Sequence, residues 1–183
     1  MSADDLTAQA WQRAKLLHLL RAERPRDRRL RLRRARMSRE WTLRIVAPDV
    51  WLTANKPSGK QTRTRLIKAW RTAAFQAARA ARLPKGLERI RIEPVAHFRG
   101  RARPVKEAPN LSSTIKAVID GLGREQRGKN HDGVPWIAVG YGLVVDDNDK
   151  HVDLAQTVIG EPLPAKVYGS HGELVLLIRE VTS

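Results

Sequence analysis

The chain contains no cysteine, so disulfides, thiolate zinc sites and cysteine nucleophiles are excluded together, and any bound metal must use oxygen or imidazole ligands. It has no apolar run near the roughly 20 residues needed to cross a bilayer. Its opening, MSADDLTAQAW, lacks a basic segment followed by an apolar one. The expectation is an intracellular, cytoplasmic protein with no membrane partner. Acidic side chains are scarce, 19 against 35 basic ones, for a formal net charge of +16. Such an excess attracts polyanions, and the binding weakens with salt because neutralised phosphates release condensed counterions. Nucleic acid is the expected partner, on a chain whose 42% hydrophobic content is that of a folded domain. The histidines, His18, His97, His131, His151 and His171, are scattered without metal-ligand spacing.

The first 40 residues stand apart. AWQRAKLLHLLRA puts Trp11, Leu16, Leu19 and Leu20 at helical spacing, and residues 24–39 then hold nine arginines against one aspartate. Like charges three or four apart repel on a helix, and Pro25 interrupts one. A short helix and a basic N-terminal arm are expected there, followed by a domain over residues 41–183. Trp41, Leu43 and Ile45 alternate with polar residues and predict a half-buried strand ended by Pro48. After the loop LTANKPSGKQ, residues 60–83 have helical period, with Leu66, Trp70, Ala73, Ala77 and Ala81 on one face and Pro84 and Gly86 as stops.

ERIRIEPVAHF returns to period two and predicts a strand interrupted or bulged near Pro94. SSTIKAVIDGLG predicts a compact helix, capped by Ser112 or Ser113, with Ile115, Ile119 and Leu122 inward. Residues 123–142 have no clean period, only a turn at GKNHDG. HVDLAQTVI and ELVLLIREV predict two more strands, the second buried on both faces. The order β-α-β-α-β-β gives the expected fold class: α/β in the broad sense, α+β more strictly, a mixed β-sheet with two main helices packed on it.

Lys116 and Asp120 lie four apart and share a helix face, with Glu107 and Asn110 just before that helix. VVDDNDKHV, residues 144–152, sets Asp146 and Asp147 after two β-branched residues at a possible strand end. Taken separately, these are an ordinary ion pair and an acidic turn. Together they suit phosphodiester hydrolysis. Mg²⁺ dehydrates reluctantly and uses one or two carboxylates plus water and substrate phosphate. The ion acidifies its water, and a neighbouring lysine stabilises charge building on the phosphorus oxygens. Calcium is disfavoured, since no glycine or distal glutamate stands at EF-hand spacing. Arg63, Arg65, Lys68 and Arg71 on the first helix, with Lys60 at its start and Arg101 and Arg103 in RGRARPVK, are the expected phosphate-tracking surface. Trp136 is a candidate for stacking on exposed bases; a core position is its alternative.

NLSSTIKAVIDGL followed by VVDDNDKHV resembles the core of the RusA-type crossover junction endodeoxyribonucleases (Holliday junction resolvases), in their phage and actinobacterial branch. There a run similar to D-x-x-N-L-x-P-T-x-K-A-x-I-D-G-L precedes an acidic pair and His-Val. The likeness extends to APDVWLTANK and TRLIKAW and covers roughly residues 41–181. It implies a RusA-like fold, a homodimer, Mg²⁺ with Mn²⁺ able to substitute, no small-molecule cofactor, and paired nicks across four-way DNA junctions in recombination and repair, in the host cytoplasm if the chain is phage-encoded. It also implies Lys116 as catalytic lysine, Asp146 and Asp147 as the catalytic and metal-binding pair, Glu107 and Asp120 as further metal ligands, Asn110 as the motif asparagine and Asn55 as a DNA-contacting residue. Glu107 stands where the branch usually has aspartate and Ser113 where it has proline; Asn110 and Ser112 occupy places that the bacterial branch gives to aspartate. The alternative is a nucleic-acid-binding protein without catalysis, on the same fold or as an RNA-binding module.

Overall fold

A computed structural model describes residues 39–54, 59–100, 107–146, 148–164 and 171–181, within a unit spanning Arg39–Val181. The expected short helix and basic arm fall outside the described residues, as do Asn55, Arg101, Arg103 and Asp147. In chain order the elements are β1 (Glu40–Val46), α1 (Lys60–Ala80), β2 (Ile90–Phe98), a 3-10 turn (Ala108–Leu111), α2 (Ser112–Leu122), β3 (Gln126–Lys129), β4 (Pro135–Ala138), β5 (Val152–Leu154), β6 (Val158–Ile159) and β7 (Gly172–Glu180). The fold is α+β, a mixed sheet with two helices. Strand β7 pairs antiparallel with β1 on one side and β2 on the other, while β5 and β6 pair parallel with successive parts of β2. A separate two-stranded hairpin, β3 with β4, fills the stretch that has no period in sequence.

The alternation expected of β1 is present, with Leu43 and Ile45 buried. Strand β2 alternates along its whole length without a bulge, and Pro94 stays in register opposite Leu176. The interruption falls on the neighbour instead. HVDLAQTVI forms two short strands, because β2 has no N–H to offer at Pro94. Strand β7 turns Leu174, Leu176 and Ile178 into the core. On its other face Val175 is buried but Leu177 is 44% exposed, so burial on both faces holds for only part of the strand.

Helix α1 buries Leu66, Trp70, Ala74 and Ala78, together with Arg71. The expected face was thus rotated by one residue in its second half: Ala73 and Ala77 flank the stripe and Ala81 is exposed. The helix stops at Ala80, before the expected residue 83. Arg82 takes a positive φ of 50°, its N–H donates to the Arg79 carbonyl, and the Leu83 N–H donates to the Ala78 carbonyl. This paired closure uses an arginine where glycine is usual.

Helix α2 crosses α1 closely at Gly121, where a Cβ would lie 2.4 Å from the Arg71 carbonyl oxygen. No larger residue fits without separating the helices. Trp51 fills the space between α1 and the sheet, its ring 4.9 Å from those of Trp70 and Phe98. Among the described residues no helix is long and apolar enough to cross a membrane.

Candidate active site

Helix α2 is held at its start by a latch. The Thr114 hydroxyl accepts the Leu52 N–H at 2.9 Å and donates to the Leu52 carbonyl at 2.8 Å, and the Ala54 N–H donates to the Asn110 carbonyl at 2.9 Å. Thr114 is fully buried, and through it the segment after β1 is tied to the first turn of α2. The sequence signal for this was the threonine inside NLSSTIK, read only as part of a motif. Neither serine caps the helix. The 3-10 turn runs directly into α2 with no side-chain cap, and the Ser113 hydroxyl accepts from Arg63 Nη2 at 3.1 Å.

Beyond this latch, α2 presents Ser112, Lys116 and Asp120 to an open cleft of about 450 Å³. Asp149 and Gln156 line the same cleft from the turn before β5 and from the link between β5 and β6. Lys116 Nζ lies 3.2 Å from Asp120 Oδ1; the lysine side chain is 77% exposed and the aspartate 17%. Helix stability gains little from this pair. Lysine before the acid is the weaker i,i+4 order, and an acid in the last turn meets the negative end of the helix dipole.

Asp149 is the functional candidate that sequence reasoning passed over in favour of the adjacent Asp146 and Asp147. The turn that carries it is built by Asn148. Its Oδ1 accepts the Lys150 N–H at 3.0 Å, its carbonyl accepts the N–H groups of His151 and Val152 at 2.9 Å each, and its Nδ2 donates to Asp146 Oδ2 at 2.8 Å. His151 Nδ1 lies 2.6 Å from the Glu88 carbonyl oxygen and fastens the turn to the segment before β2. Val144 is buried and forms an isolated bridge to Leu87, while Val145 is 41% exposed; the acidic stretch therefore follows a bridge and not the end of a buried strand.

Glu107 is exposed and directly precedes Ala108 and Pro109, which line the cleft. Asp146 is exposed and bonded to Asn148. Among the described residues no three acidic or histidine side chains are grouped to hold a metal ion, so Glu107, Asp120 and Asp146 do not make a cage by themselves.

The expected phosphate-tracking residues of α1 have different environments. Arg71 requires a correction: it is 8% exposed, Nε donates to the Val139 carbonyl at 2.6 Å and Nη1 to Gln126 Oε1 at 3.1 Å. It is buried because α1 turns it under the β3–β4 hairpin, so it is a clamp and not a surface cation. Arg63 is half-buried against Ser113, and Arg65 is paired with Asp49. Lys60 and Lys68 are exposed. Asp49 has its carboxyl held below the usual carboxylate range, by the Val50 N–H first and then by Arg65. No protein-family model matches the chain, and no curated protein matches it.

Proposed function

We propose that the protein is a Mg²⁺-dependent, structure-selective DNA endonuclease that cuts four-way junctions as a homodimer in the cytoplasm, with its reaction centre in the α2 cleft. The observation that carries this reading is one lysine and two carboxylates, Lys116, Asp120 and Asp149, on the walls of one open cleft in a chain of net charge +16. The exposed Lys116 ammonium takes a phosphate oxygen and stabilises the charge that builds on it in the transition state. Asp120 positions that ammonium through the 3.2 Å contact. Asp120, Asp149 and the Gln156 amide oxygen are hard donors, and one or two carboxylates completed by water and substrate phosphate are what Mg²⁺ uses. Mg²⁺ would supply a polarised phosphoryl oxygen and an acidified water. The likeness to RusA-type enzymes supports Lys116 and the acidic turn as reaction groups; among the described residues of that turn, Asp149 lines the cleft. Two symmetric nicks need two sites, hence a twofold dimer.

The test is a labelled four-way junction incubated with wild type, Lys116→Ala and Asp149→Asn, with Mg²⁺ or with EDTA. Symmetric nicks are expected from wild type with Mg²⁺ only, with loss of roughly 100-fold or more in the lysine variant. Junction binding by wild type without nicking in Mg²⁺ refutes the nuclease and leaves a nucleic-acid-binding protein on this fold.

A further inference from the structure

The β3–β4 hairpin plays no part in the cleft chemistry, yet it is held firmly. It leaves at the end of α2 and returns with the Tyr141 N–H on the Gly121 carbonyl at 3.0 Å and the Leu143 N–H on the Leu122 carbonyl at 2.9 Å. Arg71 grips its base, at Gln126 on β3 and at Val139 just after β4. At the tip, Asn130 Oδ1 accepts the N–H groups of Asp132 and Val134 at 3.0 and 2.8 Å. The projecting ribbon is thus organised in advance of any partner. Ile137 is nonetheless 63% exposed and Trp136 44%.

The pairing register sorts the ribbon into two faces. Arg127 stands opposite Ile137 and Lys129 opposite Pro135 on one face; Gly128 stands opposite Trp136 on the other. A Cβ on Gly128 would fall 2.7, 2.8 and 3.0 Å from three adjoining atoms of the indole. Three near-equal distances place the ring face-on over the glycine, with its second face turned outward. Arg127 is bound to Glu125 at 2.7 Å, but both are exposed, and such a pair contributes little and yields to a phosphate.

We propose that this hairpin is a strand-separating ribbon for branched DNA. Arg127 and Lys129 hold the phosphates of one strand, and the outward face of Trp136 receives a base left unpaired at the branch. Every base has a π-face, so the contact needs no sequence preference. This rests on the junction as substrate and adds the element that engages its open centre; binding is measured apart from cleavage, so the two readings can fail separately.

The probe is a four-way junction with 2-aminopurine at the branch point, beside a linear duplex, titrated in Ca²⁺ with wild type, Trp136→Ala, Trp136→Phe and the Arg127→Gln/Lys129→Gln pair, each checked for fold by circular dichroism. Trp136→Ala should bind the junction about tenfold more weakly and lose the 2-aminopurine response, with duplex affinity unchanged, while Trp136→Phe retains both. The charge pair should lower the salt slope by about 2 on both probes, at 0.9 per phosphate. Equal junction affinity and equal fluorescence across the folded variants overturns the proposal. So does a change in self-association with DNA binding intact, which assigns the ribbon to a second copy of the chain. Wild type that binds and responds but never cuts sinks the nuclease and keeps the ribbon; wild type that binds no DNA sinks both.

Discussion

Replacing Arg71 by methionine should free the hairpin without unfolding the domain. Arg71 makes two hydrogen bonds to the hairpin, and its Nη2 is buried with no hydrogen-bond partner among the described residues. Among the described residues no carboxylate pairs with it. A hydrogen bond involving a charged group contributes about 1.5–3 kcal/mol net, so two hold the hairpin by about 3–6 kcal/mol. The orphaned donor costs about 1–3 kcal/mol, and burying a cation without a counter-ion costs several more. For the whole domain these contributions nearly cancel, and methionine refills the space with an adaptable apolar chain. Urea denaturation should therefore give an unfolding free energy within about 1.5 kcal/mol of wild type. Locally the balance differs, because the hairpin loses its anchor. Its amides over residues 126–138 should exchange about 100-fold faster, equivalent to roughly 3 kcal/mol, while β2 and β7 keep their protection. Unchanged exchange in the hairpin would refute the clamp. A global loss above about 3 kcal/mol would refute the cancellation.

Gly121→Ala gains about 1 kcal/mol of helix propensity, but its Cβ would sit 2.4 Å from the Arg71 carbonyl oxygen. Forced separation of α1 and α2 should leave a net loss of about 2 kcal/mol in urea denaturation. Thr114→Val removes the hydroxyl that serves both backbone groups of Leu52; a loss of about 2–3 kcal/mol is expected, and calorimetry showing an unchanged Tm would contradict the latch. Asp49 has a folded pKa below its unfolded value. Its stabilising contribution is therefore present above the unfolded carboxylate range and lost as pH falls through the folded value. Asp49→Asn should flatten the acid limb of a stability-against-pH curve, leaving neutral-pH behaviour close to that of wild type once the lost pairing is subtracted.

The strands with one buried face were legible because alternation is a direct trace of that burial: Leu43 and Ile45 in β1, and Ile90, Ile92, Ala96 and Phe98 in β2, all lie inward. The phase of α1 was less legible. Ala73, Ala74, Ala77 and Ala78 are equally small and apolar, so composition does not say which pair is buried. Arg71 could not be placed inside from sequence, since its burial depends on a hairpin whose strands are four residues each and carry no apolar alternation. Lys116 and Asp120 were readable as neighbours from their spacing alone. Asp149 was not chosen, although Asn148 before it is a residue that builds turns through its own side chain, and that turn brings the third acid of VVDDNDKHV to the cleft.

Pro94 connects the sheet to that cleft. The Ile90 N–H donates to the His151 carbonyl, while the carbonyls of Ile92 and Ala96 accept from Ala155 and Gly160. Even-numbered residues of β2 therefore turn their backbone groups toward β5 and β6, as period two requires. Position 94 is the next in that series, and proline has no N–H to give. The edge strand cannot continue past it, and residues 155–157 leave the ladder between β5 and β6. Those residues, Gln156 among them, are the wall that faces Lys116 and Asp120 across the cleft. An unbroken strand from Val152 to Ile159 would hold them flat on the sheet and leave α2 with no opposing wall. The proline that sequence alone marks as a flaw in β2 leaves β2 intact; the missing donor opens the sheet edge where the α2 cleft has its second side.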